Sequence, residues 1–326
     1  MLSSMPPRRL VLAFLGITIA CSADLVSAQS FPAKPITLVL PFAAGSGTDI
    51  IARAFGQALS ANLGVPVVVD NKGGANGSIA AQYVARAPAD GHTLFLTSNT
   101  TQVGNPWLYK KLPYDPEADF TPITAVGKGS LIAIVPTTSH IRSIPDLVAE
   151  ARKNPGKVSF GSGSSSSRVA GELFKQLTGA DMLNVPYRSN PLAITDLLGR
   201  QVTVVFTDTP AGLPLVQGGK ARAIGYTGSK RAPALPDVPT LEEQGIKGYE
   251  LSYWNAVYAP RGTPAAVVQK LNEAFVAAAQ ATVVKAVYDK ALLDVFTTSP
   301  EGLASFQKAE KEKWGRIIKA AGIDPE

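Results

Sequence analysis

The sequence predicts an α/β protein of two lobes, each a mostly parallel sheet flanked by helices, with two crossover strands joining them. Three observations predict it. Strand-like apolar runs alternate with segments of helical periodicity, the pattern of parallel strands with crossover helices. The alternation breaks at a proline- and aromatic-rich stretch, "NPWLYKKLPYDPEADFTPI", and then restarts. The 326 residues also exceed what one hydrophobic core usually serves.

Residues 1–28 read as a secretory signal peptide. Arg8 and Arg9 precede an apolar run from Leu10 to Ala20, and small residues follow. Val26 and Ala28 place the expected cleavage before Gln29, which takes the formal charge from +6 to +5. The run is too short to span a membrane, and no later stretch reaches the roughly 18 apolar residues that a span needs. Cys21, the sole cysteine, follows "TIA" in a loose lipobox, but Thr18 is a poor residue at its first position. The mature chain is therefore expected to be exported, unlipidated and free of thiols, held together by its core alone.

"ITLVLPF", Ile36 to Phe42, is a buried strand by its apolar and β-branched run. Ile50, Ile51, Ala54, Phe55, Ala58, Leu59 and Leu63 then recur at helical spacing, and Gly64 stands where a helix ends. "VPVVVDN" is a second strand, "GGANGSIAAQYVARA" a glycine-rich turn into a second helix, and "HTLFLTS" a third strand. "SLIAIVP", Ser130 to Pro136, restarts the rhythm after the break. A second βα series runs through "KVSFGSGSSSSRVAGELFKQLTG", "DMLNVPYRSNPLAITDLLGRQ", "VTVVFTD" and "ARAIGYTG". "PALPDVPTLEEQG" reads as a loop with a short helix and "YELSYWNAVYAP" as a long strand. Two amphipathic helices, near Pro264–Ala281 and Pro300–Ala321, close the chain. This divides the mature protein into lobe 1 (29–128 and 252–326) and lobe 2 (129–251), connected twice and so able to hinge about a cleft.

Composition narrows the function. Apolar residues at 45% and charged residues at 17% fit a globular protein. The Lys and Arg are scattered, and the densest patch, "KAEKEKWGR", mixes both signs, so a nucleic-acid partner is not expected. A mildly basic surface suits small anions.

Three turns share one chemistry. "FAAGSGTD" follows the first strand, "TSNTT" with Ser98, Asn99 and Thr100 ends the third, and "FGSGSSSS" ends a strand of the second lobe. Each sets small or hydroxyl residues beyond the carboxyl end of a strand, where open α/β sheets bind ligands and helix N-termini leave free N–H groups. Each alone could be a tight turn, with Thr48 and Ser167 only capping. Two such turns in different lobes, able to face one cleft, favour a ligand.

Enzymatic readings lack parts. Neither G-x-G turn has the third glycine of a dinucleotide site, and neither has the Gly-Lys-Ser/Thr of a phosphate loop. There is no G-x-S-x-G elbow. The two histidines, His92 and His140, fall in a turn and a loop expected at the surface. No pair of ligating residues has metal spacing. Donors abound and acid–base machinery is scarce, which is the profile of a receptor without cofactor. The alternative is an exported hydrolase on a similar two-lobed fold using one of Ser164 to Ser167.

The segments "FPAKPITLVLPFAAGSGTDIIARAF", "VVVDNKGGANGSIAAQYVARAPADGHTLFLTSNT", "NPWLYKKLPYDPEADFTPI", "PYRSNPLAITDLLG" and "RAPALPDVPTLEEQG" resemble, in order and along the whole mature chain, the Bug-type receptors of tripartite tricarboxylate transporters. The resemblance implies a type II periplasmic-binding-protein (Venus flytrap) fold, a periplasmic location and a monomer. It also implies a small carboxylate ligand, either a di- or tricarboxylate or an aromatic acid, and delivery to membrane permease subunits. It maps the ligand cradle onto Ala43, Ala44, Gly45, Ser46, Gly47, Thr48 and Asp49 in the first lobe. In the second it points to Ser162, Gly163, Ser164, Ser165 and Ser167, then Arg168 where the family usually has His. Tyr187, Arg188 and Ser189 stand for its Tyr-Lys-Gly stretch. Thr207 and Asp208 follow Phe206 where many members have Phe-Asp. Arg168 either reaches a second carboxylate of the ligand or pairs with Glu172 at i+4.

Overall fold

The computed structural model describes residues 31–326 apart from Ala234; the expected signal peptide and Cys21 lie outside the described residues. Strand β1 (Ile36–Leu40) pairs in parallel with β2 (Val67–Asn71) and with β3 (Thr93–Ser98). Helix α1 (Gly47–Leu63) makes the first crossover and buries Ile51, Phe55, Ala58 and Leu59, positions at helical spacing. Ser46 caps it, accepting from Asp49 N–H at 3.3 Å, and Gly64 ends it at φ +70° as the sequence predicts. A single turn of tight helix, Ala75–Gly77, leads into α2 (Ser78–Ala85).

After β3 the chain winds through an expanded helical turn, Thr100–Gly104, into the short α3 (Asn105–Leu108). Strand β4 then runs for 17 residues, Phe120–Pro136. The sequence placed its start ten residues later, at Ser130, because the proline- and aromatic-rich stretch that ends at Ile123 reads as a break; Pro122, Gly127 and Gly129 are weak strand formers. The strand accommodates these residues at register irregularities between Pro122 and Thr124 and between Ala125 and Gly127.

The second series comprises α4 (Ile144–Lys153), β5 (Val158–Ser162), α5 (Ser165–Thr178), β6 (Met182–Pro186), α6 (Asn190–Leu198), β7 (Val204–Asp208), α7 (Thr209–Gln217) and β8 (Ala221–Tyr226). In the segment expected to carry a short helix, the described residues 235–245 form turns and extended chain. Strand β9 (Ser252–Pro260) follows, then α8 (Ala265–Ala278), α9 (Thr282–Ala291) and α10 (Pro300–Ala320). Helix α9 is an addition to the two expected closing helices.

Among the described residues nine strands run in the order β2-β1-β3-β9-β4-β7-β5-β6, with β8 also on β4. Strand β4 belongs to two half-sheets. Its first part, Phe120–Ser130, pairs antiparallel with β9, and Leu131–Pro136 pairs with β7 and β8. At the start of β9, Leu251 N–H donates to Thr227 O, and the Thr227 hydroxyl to Leu251 O, so a second connection crosses beside the first. The carboxyl ends of β1 and β3 on one side face those of β5 and β7 on the other. One apolar core runs through both half-sheets and includes Phe55, Phe95, Phe160, Phe206 and Trp254.

Candidate functional site

Four helices begin at the cleft between the half-sheets: α1, α5, α6 and α7. Each start follows a strand or turn that ends in small polar residues, and Pro stands in the first turn of α6 and α7, where its missing N–H is no loss. Ser46 and Ser164 cap α1 and α5; Ser164 Oγ accepts from Ser167 N–H at 3.1 Å. Asp208 caps α7 by accepting from Ala211 N–H at 3.1 Å. Helix starts that converge in this way leave N–H groups directed at one small space.

That space is a cavity of about 30 Å³, room for about one water. Ser46, Thr48 and Ser98 line one wall, and Gly163, Ser164 and Asp208 the other. All six are sequence-predicted. Ser166, within the serine run the sequence singles out, also lines it, whereas sequence reasoning missed Phe42, Leu131, Asn190 and Tyr253, which complete the lining. The "SNP" stretch marks Asn190 as the first residue of a helix behind a Ser cap, a signal that could have found it. Tyr253 lies inside an apolar strand run and carries no such signal.

The walls touch directly. Asn99 Nδ2 donates to Ser166 Oγ at 3.1 Å, Ser165 Oγ to Asn105 Oδ1 at 2.9 Å, and Asn76 Nδ2 to Ser165 Oγ at 2.6 Å. A Cβ on Gly47 would fall 2.3 Å from Asp208 Oδ1, so only glycine permits this approach. The structure is therefore closed, and a ligand larger than water enters only when the half-sheets part.

Other expected residues are placed differently. Asp49 turns away from the cavity and accepts from Arg53 Nε at 3.0 Å, Gly45 N–H at 3.0 Å and Asn71 Nδ2 at 3.1 Å. Burial alone would raise its carboxyl, but Arg53 and the other donors outweigh this and hold it below the usual carboxylate range. Asp49 is a bracket for the turn. Ala43 is half-buried, and Ala44 and Gly45 form the exposed rim. Ser167 Oγ donates to Phe206 O at 2.5 Å, which ties α5 to β7. Thr100, Ser189 and Thr207 are buried with unpartnered hydroxyls.

Ser162, Tyr187 and Arg168 line a second, outer cavity of about 290 Å³. Tyr187 donates to Asp196 Oδ2 at 2.7 Å, and Ser162 Oγ to Asn184 Oδ1 at 2.6 Å. Arg168 pairs there with Glu326, and Glu172, one of the two alternatives the sequence leaves open for it, pairs with Lys175 at 2.8 Å. Arg188 is exposed.

Charge is sparse. Among the described residues Asp208 is the one carboxylic acid lining the inner cavity, and burial pushes its carboxyl up despite the Asn190, Ala211 and Gly47 donors. Burial also raises the Tyr253 phenol well above its ordinary value, so it stays a donor. The hydroxyls of Ser164 to Ser167 bond to backbone groups and to the amides of Asn76, Asn99 and Asn105. Neither an imidazole nor a carboxylate is bonded to them, so the hydrolase reading has no base to activate a serine. His140 bonds Glu150 at 3.0 Å, and His92, expected at the surface, packs its ring edge-on against Phe31. Among the described residues no cluster of His, Cys, Asp or Glu could hold a metal ion. The arrangement is built to receive acceptors.

Residues 51–323 match the profile of the tripartite tricarboxylate transporter family receptors, TctC. Three solved structures are similar. The R. palustris protein Rpa4515, solved with adipate, is 34% identical with a TM-score of 0.88 over 91% of this chain and 100% of that one. The periplasmic binding protein BugD is 33% identical with a TM-score of 0.87 over 91% and 100%. MatC of Rhodopseudomonas palustris, solved with bound malate, is 28% identical with a TM-score of 0.84 over 88% and 100%.

Proposed function

This chain belongs to the tripartite tricarboxylate transporter receptor family, and we propose that its cleft captures a small dicarboxylate in the periplasm and presents it to the permease of such a transporter. The observation that carries the reading is the convergence of four helix N-termini and a set of hydroxyls on one cleft, the serines there bonding to amides and backbone groups. Adipate and malate, held by two relatives, are both dicarboxylates. No helix among the described residues is long and apolar enough to cross a membrane. The lobes we assign are 29–128 with 252–326, and 129–251, hinged on β4 and β9.

A hydrogen bond to a charged group contributes roughly 1.5–3 kcal/mol net. Four or five around one carboxylate sum to roughly 6–15 kcal/mol, and the association cost of at least about 4 kcal/mol leaves binding of millimolar to micromolar strength. We assign the first carboxylate to the α1 turn at Ser46, Gly47 and Thr48, met from the other lobe by Gly163, Ser164 and Ser165. Only closure brings both walls onto one ligand, so binding favours the closed state. A thermal-shift and calorimetric screen of adipate, malate and matched monocarboxylates tests the reading. Dicarboxylate binding at micromolar to millimolar strength is expected; no response to any of these acids would sink it.

A further inference from the structure

Asp208 puts a carboxylate where a carboxylate is to be bound. We propose that capture is therefore proton-coupled: one proton is taken up on binding and shared between the Asp208 carboxyl and a ligand carboxylate seated on the α1 turn. The inference rests on the reading of the cleft as the carboxylate site.

The geometry leaves Asp208 no retreat. On its own side Asn190 Nδ2 donates to Oδ2 at 3.1 Å and Ala211 N–H to Oδ1 at 3.1 Å. Asn190 is itself fixed, its Oδ1 accepting from Gly163 N–H at 3.1 Å. Asn190 and Ala211 belong to the helices of the second half-sheet, so the carboxylate travels with that lobe when the cleft opens and gives up the Gly47 N–H that meets it across the cleft. Across the cleft, Oδ1 stands 2.3 Å from where a Gly47 Cβ would be, against the first turn of α1. A ligand carboxylate on that turn thus meets Asp208 as the lobes close.

Nothing cationic separates them. Ser46 and Thr48 of α1, Asn190 of α6, Thr209 of α7, Leu131 of β4 and Tyr253 of β9 surround the group. Tyr253 is the only titratable neighbour among these, and it stays protonated. Asp49, on the same turn of α1, is engaged by Arg53 and Asn71. Two carboxylates enclosed without a cation hold one proton between them. Burial already pushes the Asp208 carboxyl up before any ligand arrives. The proton comes from solvent, binds an Asp208 oxygen and is donated to a ligand oxygen, and no bond of the ligand breaks.

Titration calorimetry of adipate and of malate, in buffers of different ionisation enthalpy between about pH 7 and about pH 8, counts the protons taken up. Over this range the free acids are fully ionised. Uptake approaching one proton is expected for adipate, with affinity weakening up to about tenfold for each unit of rising pH. Asp208→Asn should bind adipate with no uptake and no pH dependence. Wild-type adipate binding with zero proton uptake and a flat pH profile overturns the inference while leaving the receptor reading intact. The same outcome follows if only malate, whose hydroxyl can donate to Asp208, binds and does so without uptake. Absence of binding by either acid at every pH overturns both.

Discussion

Gly47 is the position at which one added carbon decides the state of the cleft. A Cβ there would fall 2.3 Å from Asp208 Oδ1, while α1 itself would gain from the better helix former. Gly47→Ala should therefore leave unfolding stability within about 1 kcal/mol of wild type yet weaken dicarboxylate binding at least tenfold, because the lobes stop short of closure. Calorimetry beside urea unfolding separates the two effects. Unchanged affinity would remove the contact from the mechanism. Arg168 is a subtler case. Its guanidinium is held by Glu326, so a second ligand carboxylate would replace one acceptor with another. Arg168→Ala should thus weaken a dicarboxylate by about 1 kcal/mol, less than the roughly 1.5–3 kcal/mol of a new charge-assisted bond. A monocarboxylate of equal size should be barely affected, and equal losses for both would place Arg168 outside the site. Asp49 carries the acid sensitivity of the first turn. Its folded carboxyl lies below the ordinary value, so its stabilisation is complete above about pH 4 and is lost as pH falls through the folded value. Asp49→Asn should flatten the decline of stability below about pH 4, as read by denaturant unfolding across that range.

At the scale of elements, the helices that build the site are set by their ends. Helix α1 stops at Gly64 in the left-handed region, its N–H donating to Ser60 O. Gly64→Ala should destabilise the protein by about 1 kcal/mol and leave dicarboxylate affinity unchanged, since Gly64 lies at the end of α1 opposite the cleft. A loss of affinity larger than the loss of stability would show that the position of α1 depends on this cap. These ends were legible in the sequence, as were the strand cores. Strand β4 was legible only in its second half. Its first ten residues pair with β9, a strand more than a hundred positions later, and those cross-strand bonds override the weak strand preference of Pro122, Gly127 and Gly129. Helix α9 was missed although Val284, Tyr288 and Ala291 stand at helical spacing and are buried, because its ten residues follow α8 after only a short turn and carry no side-chain cap to mark a new start.

At the scale of the whole molecule the prediction is motion. The closed cleft leaves about 30 Å³, so capture requires the lobes to part and return. Trp254 reports on this. It is buried on β9 against Phe306, its Nε1 donates to Glu310 at 3.1 Å, and its backbone N–H reaches the Asn99 side chain that bonds Ser166 across the cleft. Saturating dicarboxylate should change Trp fluorescence and shift small-angle scattering toward the closed dimensions, and Gly47→Ala should abolish the shift. Identical scattering with and without ligand, at saturation shown by calorimetry, would count against a hinged receptor.

The sequence by itself determined the alternation of strands and helices, the glycine and serine chemistry of the turns, the scarcity of acid–base groups and the family. Each of these is local or compositional: caps, periodicity and turn residues act within a few positions of themselves. The tertiary structure alone decided which of those donors face one another. Ser46 and Ser164, alike in sequence as helix caps, line opposite walls of one cavity, whereas Asp49 faces away toward Arg53. Arg168 found Glu326, 158 positions distant, in place of the nearby Glu172. Tyr253 and Asn190 entered the site because β9 and α6 are carried there by the sheet. Asp208 came to rest against Gly47 because closure brings together two segments far apart in the chain, and only packing of the whole molecule fixes such a contact.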